Sequence, residues 1–314
     1  MTFFSRMPEC GCVLMLHHVA PIDRSRLCVN DAYRVSPEFL ERTIRDMRRK
    51  GFAFLSMDEV AEVVRGRRTV ARFAALTFDD GYADNFSAGA EVLRSENVPG
   101  MVYLAPGLAS GDGPIWWDAL EDHLLSVDCM RLPDGTTVRC DGNDARCDVF
   151  LRLCAWVRSL PPDEVAERVA ELCGRDTSWF DAYRGQMATA ETIRGFSGDR
   201  LVSLGCHTHR HISCGGLPDR VVEEDVRRSL SALAGCGVSP RHFAFPYGDD
   251  LGNTDRLDGF FESCGFRSAV VTVPGVVVRG FSNVWRIPRV MVSEYERFSA
   301  RRVREVWRWQ RERG

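Results

Sequence analysis

The chain lacks any run of apolar residues long enough to span a lipid bilayer, which takes roughly 18 to 20 consecutive residues. It also lacks a surplus of positive charge, because 41 lysines and arginines stand against 44 aspartates and glutamates, a net charge of −3. Proteins that bind nucleic acids or anionic membranes through electrostatic attraction carry a basic patch or stripe. The sequence therefore predicts a protein with no transmembrane segment and no nucleic-acid partner.

Two further absences concern the cellular compartment. Residues 1–12 contain a single arginine and an interrupted apolar stretch, which is not the pattern of a signal peptide. The 12 cysteines are scattered, several lie within apolar runs, and no Cys-x-x-Cys pair is present to bind a structural zinc ion. We interpret them as free, mostly buried thiols in a reducing compartment. We therefore expect a protein of the cytoplasm or of the inner face of the membrane.

Two adjacent carboxylates mark the first candidate site. The apolar run 73–78 predicts a short buried strand, and Asp79, Asp80 and a turn at Gly81 follow it directly. Two carboxylates a few ångströms apart do not both stay ionised unless a cation neutralises one of them. One aspartate would then bind a metal ion while the other remains available as a base. A solvated Asp-Asp turn is the alternative interpretation.

A histidine cluster follows a second apolar run at residues 201–204. His207 and His211 are four positions apart, which places both imidazoles on one side if the segment forms a helical turn. Two histidines and one carboxylate leave coordination positions open for water and substrate, as in catalytic zinc and non-haem iron sites. A surface histidine tract is the alternative.

Three segments, in this order, resemble the first three motifs of the NodB-type polysaccharide deacetylases, also called carbohydrate esterase family 4. They are Thr77-Phe78-Asp79-Asp80-Gly81, His207-Thr208-His209-Arg210-His211 and Phe243-Ala244-Phe245-Pro246-Tyr247-Gly248. The similarity extends over about residues 10 to 290. It implies a metal-dependent hydrolase that removes an N-acetyl group from an amino sugar in a polysaccharide or glycolipid precursor.

The resemblance also implies a role for individual residues. Asp80, His207 and His211 would hold a divalent metal ion, zinc by default, with Fe²⁺ or Co²⁺ as alternatives. Asp79 would be the general base that takes a proton from water. The backbone N–H of Tyr247 would stabilise the oxyanion together with the metal ion.

The general acid of this family is not in its most common place. No histidine follows His242, so the Leu-x-His motif that many relatives carry near the C-terminus is absent. Some relatives instead have a Tyr-His-x-Val segment on the first strand, which Leu16-His17-His18-Val19 resembles. We predict that His17 is the acid. We expect His18 to face away, because neighbouring strand residues point to opposite sides.

A second departure from the family pattern is Ala244, where many relatives have an arginine that orients the base. Arg289, just after a last strand predicted at 283–287, is our candidate for this role. A surface arginine at a strand end is the alternative.

Short apolar runs alternate with amphipathic stretches along the chain, which indicates parallel strands joined by crossover helices. Together with the resemblance, this predicts an α/β fold, a distorted seven-stranded (β/α) barrel of the NodB type. We expect one domain over residues 1–314, with a mainly helical insertion or lid at 107–195 that starts in a Gly-rich loop. Trp116 and Trp117 in this insertion would either stack against a sugar ring or seal the insertion onto the barrel.

Two other functions fit the same residues. One is a deformylase or another amide or imide hydrolase on the same scaffold, and the other is a non-catalytic protein that binds carbohydrate or senses a metal. The complete set of candidate ligands, base and acid argues against the second. For the deacetylase and the deformylase, the expected partner is a carbohydrate or glycolipid substrate.

Overall fold

Seven parallel strands form the centre of the molecule. The computed structural model describes residues 10–248, 254–280 and 282–295. In chain order the strands are β1 (Cys10–Leu16), β2 (Arg72–Phe78), β3 (Gly100–Leu104), β4 (Val202–Cys206), β5 (His242–Ala244), β6 (Ser268–Pro274) and β7 (Ile287–Met291). Each strand pairs with the next in the chain, and β1 pairs with both β2 and β7. The sheet is thus a closed barrel, and the predicted fold is confirmed.

The strand sequences are apolar because both faces of most strands are buried, and all seven residues of β1 are buried. Short strands add to the sheet at two places: Ala53–Phe54 pairs with β2, and Val277–Val278 runs antiparallel to the start of β1. His18–Val19 and Arg34–Val35 form a separate parallel pair just beyond β1. This pairing joins the residues that follow β1 to the residues that precede the helix Pro37–Arg49.

Helices cover the outside of the barrel, and their starts follow from the sequence. Ser36 caps the helix Pro37–Arg49, and a capping box of Ser56 and Glu59 begins the helix Met57–Val64. The other helices around the barrel are Cys28–Asp31, Ala90–Glu96 after a π turn at Asn85–Gly89, Asp219–Ala234, and Asp258–Ser263 after a 3₁₀ turn at Asp255–Leu257.

The chain between β3 and β4 is mainly helical. Its elements are Pro106–Ser110, Trp116–Ser126, an antiparallel hairpin of Cys129–Arg131 and Thr137–Arg139, Gly142–Ser159, Val165–Leu172, a 3₁₀ segment Thr177–Gln186, and Ala190–Gly195. These elements bury a cluster of apolar side chains of their own, which Leu27 from the chain before the second strand joins. That this stretch acts as a lid stays a prediction.

Three expectations about local structure are changed or left open. The Gly-rich stretch expected at residues 107–114 is partly helical, because Pro106 begins the helix Pro106–Ser110. The last barrel strand lies at Ile287–Met291 and not at 283–287. The charged closing helix that the sequence predicts over residues 294–311 falls almost entirely on residues 296–314, which lie outside the described residues.

Two findings bear on the absences noted above. No helix among the described residues has both the length and the apolar character needed to cross a bilayer. None of the twelve cysteines, all of which the structure describes, is in a disulfide, and only Cys28 and Cys129 are exposed.

Candidate active site

Polar side chains from several strand ends meet at one end of the barrel. Asp79 and Asp80 follow β2, His207 follows β4, and His17 follows β1. Because the C-terminal ends of parallel barrel strands share one face, residues far apart in sequence meet there. All four line a single cavity of about 290 Å³, to which Tyr247 after β5 also contributes.

Asp80, His207 and His211 bring three possible metal ligands together. The Oδ1 atom of Asp80 lies 3.4 Å from Nε2 of His207 and 3.2 Å from Nε2 of His211. One donor atom from each residue falls within 4.8 Å of the others. The Nδ1 atom of His207 is 2.8 Å from the carbonyl oxygen of Ala244, and donating to it leaves the Nε2 lone pair directed to Asp80.

The donor set fits a divalent cation. The Oδ1 atom of Asp80 is buried and has no hydrogen-bond partner among the described residues, an arrangement that is costly for a carboxylate unless a cation satisfies it. Burial alone would raise the pKa of Asp80, but the neighbouring His211 holds it well below its usual value. An ionised carboxylate and two imidazoles are ligands that zinc and similar ions accept.

The backbone at the cluster adopts unusual conformations. Asp80, Thr208, His211 and Tyr247 all have positive φ angles, of 71°, 61°, 57° and 58°. Such conformations cost non-glycine residues about 1 to 3 kcal/mol and are concentrated at functional sites. The segment 207–211 thus does not form the helical turn that was the condition for placing both imidazoles on one side. The left-handed residues of an irregular loop, and not helical periodicity, bring His207 and His211 together.

Asp79 has a different environment from Asp80. Arg289 in β7 donates to both carboxylate oxygens of Asp79, with distances of 2.7 Å from Nη1 to Oδ1 and 2.6 Å from Nη2 to Oδ2. Its Nε donates to the carbonyl oxygen of Val271 at 3.1 Å, and its side chain is completely buried. Burial raises the pKa of Asp79, but the charge of Arg289 outweighs it and the net pKa is lowered. The alternative of a surface arginine at a strand end is wrong, because Arg289 lies within β7.

The two histidines after β1 differ in their partners. The buried Nδ1 of His17 has no hydrogen-bond partner among the described residues, and its ring contacts Tyr33 edge-on with 4.5 Å between centroids. Burial lowers the pKa of His17, against the opposing effect of Asp80. His18 lines the same cavity, so it does not face fully away as expected. Its Nδ1 is engaged by Asp84 at 2.7 Å.

Both tryptophans of the insertion line the cavity, but with different exposure. Trp116 is buried, and its Nε1 donates to the hydroxyl of Tyr247 at 3.3 Å. Trp117 is half-buried, donates to the hydroxyl of Tyr82 at 3.0 Å, and lies 5.2 Å from the ring of His211. The position of Trp116 favours a sealing role, and the partly exposed Trp117 is the one available to a ligand.

Sequence reasoning missed several residues that line the cavity, and three of them are polar or aromatic side chains from outside the barrel strands. Asn30 and Tyr33 come from the connection between β1 and the helix Pro37–Arg49, and Arg158 comes from the helix Gly142–Ser159. The guanidinium of Arg158 lies 5.3 Å from the centre of the Tyr247 ring. None of the three belongs to a recognisable motif.

We expect Gly248→Ala to damage the end of β5. Gly248 has φ of +64°, and a Cβ there would lie 1.6 Å from Oγ1 of Thr272, another cavity residue. Backbone strain and overpacking together should lower the free energy of unfolding by about 2 to 4 kcal/mol, measured by urea denaturation. Gly216→Ala is the matched control, because a Cβ there meets nothing within 4 Å. Equal stability of the two variants would contradict this account.

A family model described as polysaccharide deacetylase matches residues 167–268 of the chain. This stretch includes His207, His211 and Tyr247, whereas the aspartate pair precedes it. The resemblance to polysaccharide deacetylases that the three motifs predicted is therefore confirmed. No curated protein matches the chain.

Solved structures of deacetylases share the fold over almost the whole chain. The Streptococcus pyogenes deacetylase PplD in complex with acetate is 13% identical and has a TM-score of 0.62, with 96% of this chain and 99% of PplD covered. IcaB from Ammonifex degensii is 19% identical with a TM-score of 0.58, covering 92% and 94% of the two chains. The BpsB deacetylase domain from Bordetella bronchiseptica is 18% identical with a TM-score of 0.51, covering 90% and 96%.

Proposed function

We propose that the protein is a metal-dependent hydrolase that removes an N-acetyl group from an amino sugar in a polysaccharide or glycolipid precursor. The observation that carries the proposal is the convergence of Asp80, His207 and His211 beside a second, ionised carboxylate, Asp79. The resemblance to polysaccharide deacetylases supports the same reaction.

Asp79 and Arg289 prepare the attack on the amide. A divalent ion held by Asp80, His207 and His211 would act as a Lewis acid on the amide and lower the pKa of water from about 15.7 toward 7. Asp79 takes one proton from the attacking water, whose oxygen forms a bond to the amide carbon. Arg289 positions Asp79 by donating hydrogen bonds to both of its carboxylate oxygens, and it keeps Asp79 ionised until that proton transfer.

His17 and Tyr247 complete the reaction. The backbone N–H of Tyr247 is the fixed donor for the oxyanion that develops on the amide oxygen. His17 in its protonated form gives its proton to the amide nitrogen as the carbon–nitrogen bond breaks, so that acetate and an amine leave. Its lowered pKa makes the imidazolium a stronger acid, although less of it is present at neutral pH.

The base assignment predicts that Asp79→Asn keeps its metal ion and loses turnover. We expect kcat to fall by about 10² to 10⁴, the usual contribution of a general base. Acetate release from N-acetylglucosamine oligomers and a glycolipid, with metal content measured by mass spectrometry, tests both parts. Circular dichroism of the variant controls for folding. Unchanged turnover would exclude Asp79 as the base, and release of formate from an N-formyl analogue alone would favour a deformylase.

A further inference from the structure

The candidate site is the floor of a cavity and has walls that the barrel strands do not supply. One wall is the segment 27–35, which contributes Asn30 and Tyr33. A second wall is the helix Gly142–Ser159, which contributes Leu151 and Arg158. The strand ends alone would present a site on the open face of a barrel, so these two walls restrict what can reach the candidate metal ligands.

The first wall is held firmly in place. The Nδ2 atom of Asn30 donates to Asp118 at 3.1 Å and to Glu121 at 2.7 Å, and the backbone N–H of Leu27 also donates to Glu121. Both carboxylates are buried and belong to the helix Trp116–Ser126. Removing a partner from such a buried hydrogen-bond network costs folding free energy. The segment 27–35 is therefore held in one position at the cavity wall.

The size of the cavity limits the ligand. Its volume of about 290 Å³ lies at the lower end of the roughly 300 to 1,000 Å³ that is usual for small-molecule sites. One N-acylated sugar ring suits this volume, and any further rings would lie outside it.

Tyr33 offers an apolar surface for that ring. It is 37% exposed, and its ring is edge-on to His17, which places it next to the reacting groups. The backbone fixes its position, because the N–H of His18 donates to the carbonyl oxygen of Tyr33 at 3.1 Å. Aromatic side chains supply large contact areas at low entropic cost, and the C–H faces of a pyranose ring are apolar.

We propose that the cavity accepts a single N-acylated amino sugar at the end of a glycan or on a carrier, packed against Tyr33, and that it excludes internal residues of a polymer. The proposal rests on the hydrolase function proposed above and narrows its substrate class. The rest of the substrate leaves through the cavity mouth, beside the exposed side chain of Leu151.

A map of the product tests the proposal. The metal-loaded protein is given a pentamer of N-acetylglucosamine, and the position of each free amine is read by tandem mass spectrometry. We expect one deacetylated residue per pentamer, at a chain end, and acetate release from the methyl glycosides of N-acetylglucosamine or N-acetylgalactosamine. Deacetylation at internal positions would overturn this proposal and leave the hydrolase function intact.

A binding measurement separates the two proposals if no acetate is released. Quenching of tryptophan fluorescence by the same ligands, with Trp117 in the cavity as reporter, does not require turnover. We expect the better methyl glycoside and the corresponding pentamer to bind within about tenfold of each other, since a single ring fills the site. A pentamer that binds more than about 100-fold tighter would overturn the single-ring site, as would the absence of binding by all of these ligands.

Variants of Tyr33 test its role as a packing surface. Tyr33→Ala should raise KM about tenfold and change kcat little, and Tyr33→Phe should restore the parent KM because the ring is kept. Circular dichroism and Tm of Tyr33→Ala control for folding. An unchanged KM in Tyr33→Ala would remove Tyr33 from the site, and a raised KM in Tyr33→Phe would contradict packing of the sugar against the ring.

Discussion

The Arg289→Met variant should be both unstable and nearly inactive. Asp79 and Arg289 are a buried ion pair with two charge-assisted hydrogen bonds, and removing one partner of such a pair costs about 3 to 5 kcal/mol. Without the guanidinium, Asp79 loses the strongest of the charges that oppose the effect of burial, so its pKa rises and less of the candidate base is ionised. We expect kcat to fall by about 10² to 10⁴, measured beside the free energy of unfolding in urea.

Two further variants separate the charge from its geometry. Arg289→Lys keeps a positive charge but cannot donate to both oxygens in parallel, so it should retain more stability than Arg289→Met while kcat stays low. The double variant Asp79→Leu/Arg289→Met removes both charges and should recover much of the lost stability. If the double variant is as unstable as the sum of its two single variants, the ion pair is not the cause. Full activity in Arg289→Met would exclude Arg289 as the positioning residue.

The Asp80→Ala variant should lose the metal ion. Within the part of the chain that the structure describes, Asp80 alone supplies a carboxylate to the cluster with His207 and His211, so its removal leaves the two imidazoles. We expect the metal content measured by mass spectrometry to fall from about one ion per chain to near zero, and turnover to fall with it.

Thermal unfolding of the same variant gives a second test, because the ionised carboxylate of Asp80 would bind an ion only in the folded chain. Added Zn²⁺ should raise the Tm of the parent and not that of the variant. Asp84→Asn is the matched control, since Asp84 lies close by but pairs with His18. Loss of metal in Asp84→Asn, or its retention in Asp80→Ala, would contradict the assigned ligands.

The barrel and the position of the metal cluster were predictable because local patterns determine them. Apolar runs predicted β2 and β4, and the rule that parallel strand ends share a face brings Asp80 to His207. Arg289 was a candidate because the family resemblance implies an arginine that orients the base, and Ala244 stands where many relatives have it. Its burial was not predictable, since the strand was expected at 283–287 and β7 begins at residue 287.

What sequence reasoning missed depends on contacts between distant parts of the chain. Tyr33 has no periodic pattern around it, and its position follows from hydrogen bonds of its neighbours to Asp118 and Glu121. The spacing of four residues between His207 and His211 fits helical periodicity, but the segment 207–211 is an irregular loop. Its left-handed residues are imposed by tertiary structure, which overrides local preference.

The pairing of β1 with both β2 and β7 has a consequence for biosynthesis. Asp79 is synthesised early. Arg289, whose guanidinium neutralises it, is synthesised more than 200 residues later, in the last strand of the barrel. A nascent or truncated chain that ends before β7 would carry both aspartates without the ion pair that keeps one of them ionised. For the hydrolase proposed above, activity would thus require completion of the barrel, and an unfinished polypeptide would be inactive.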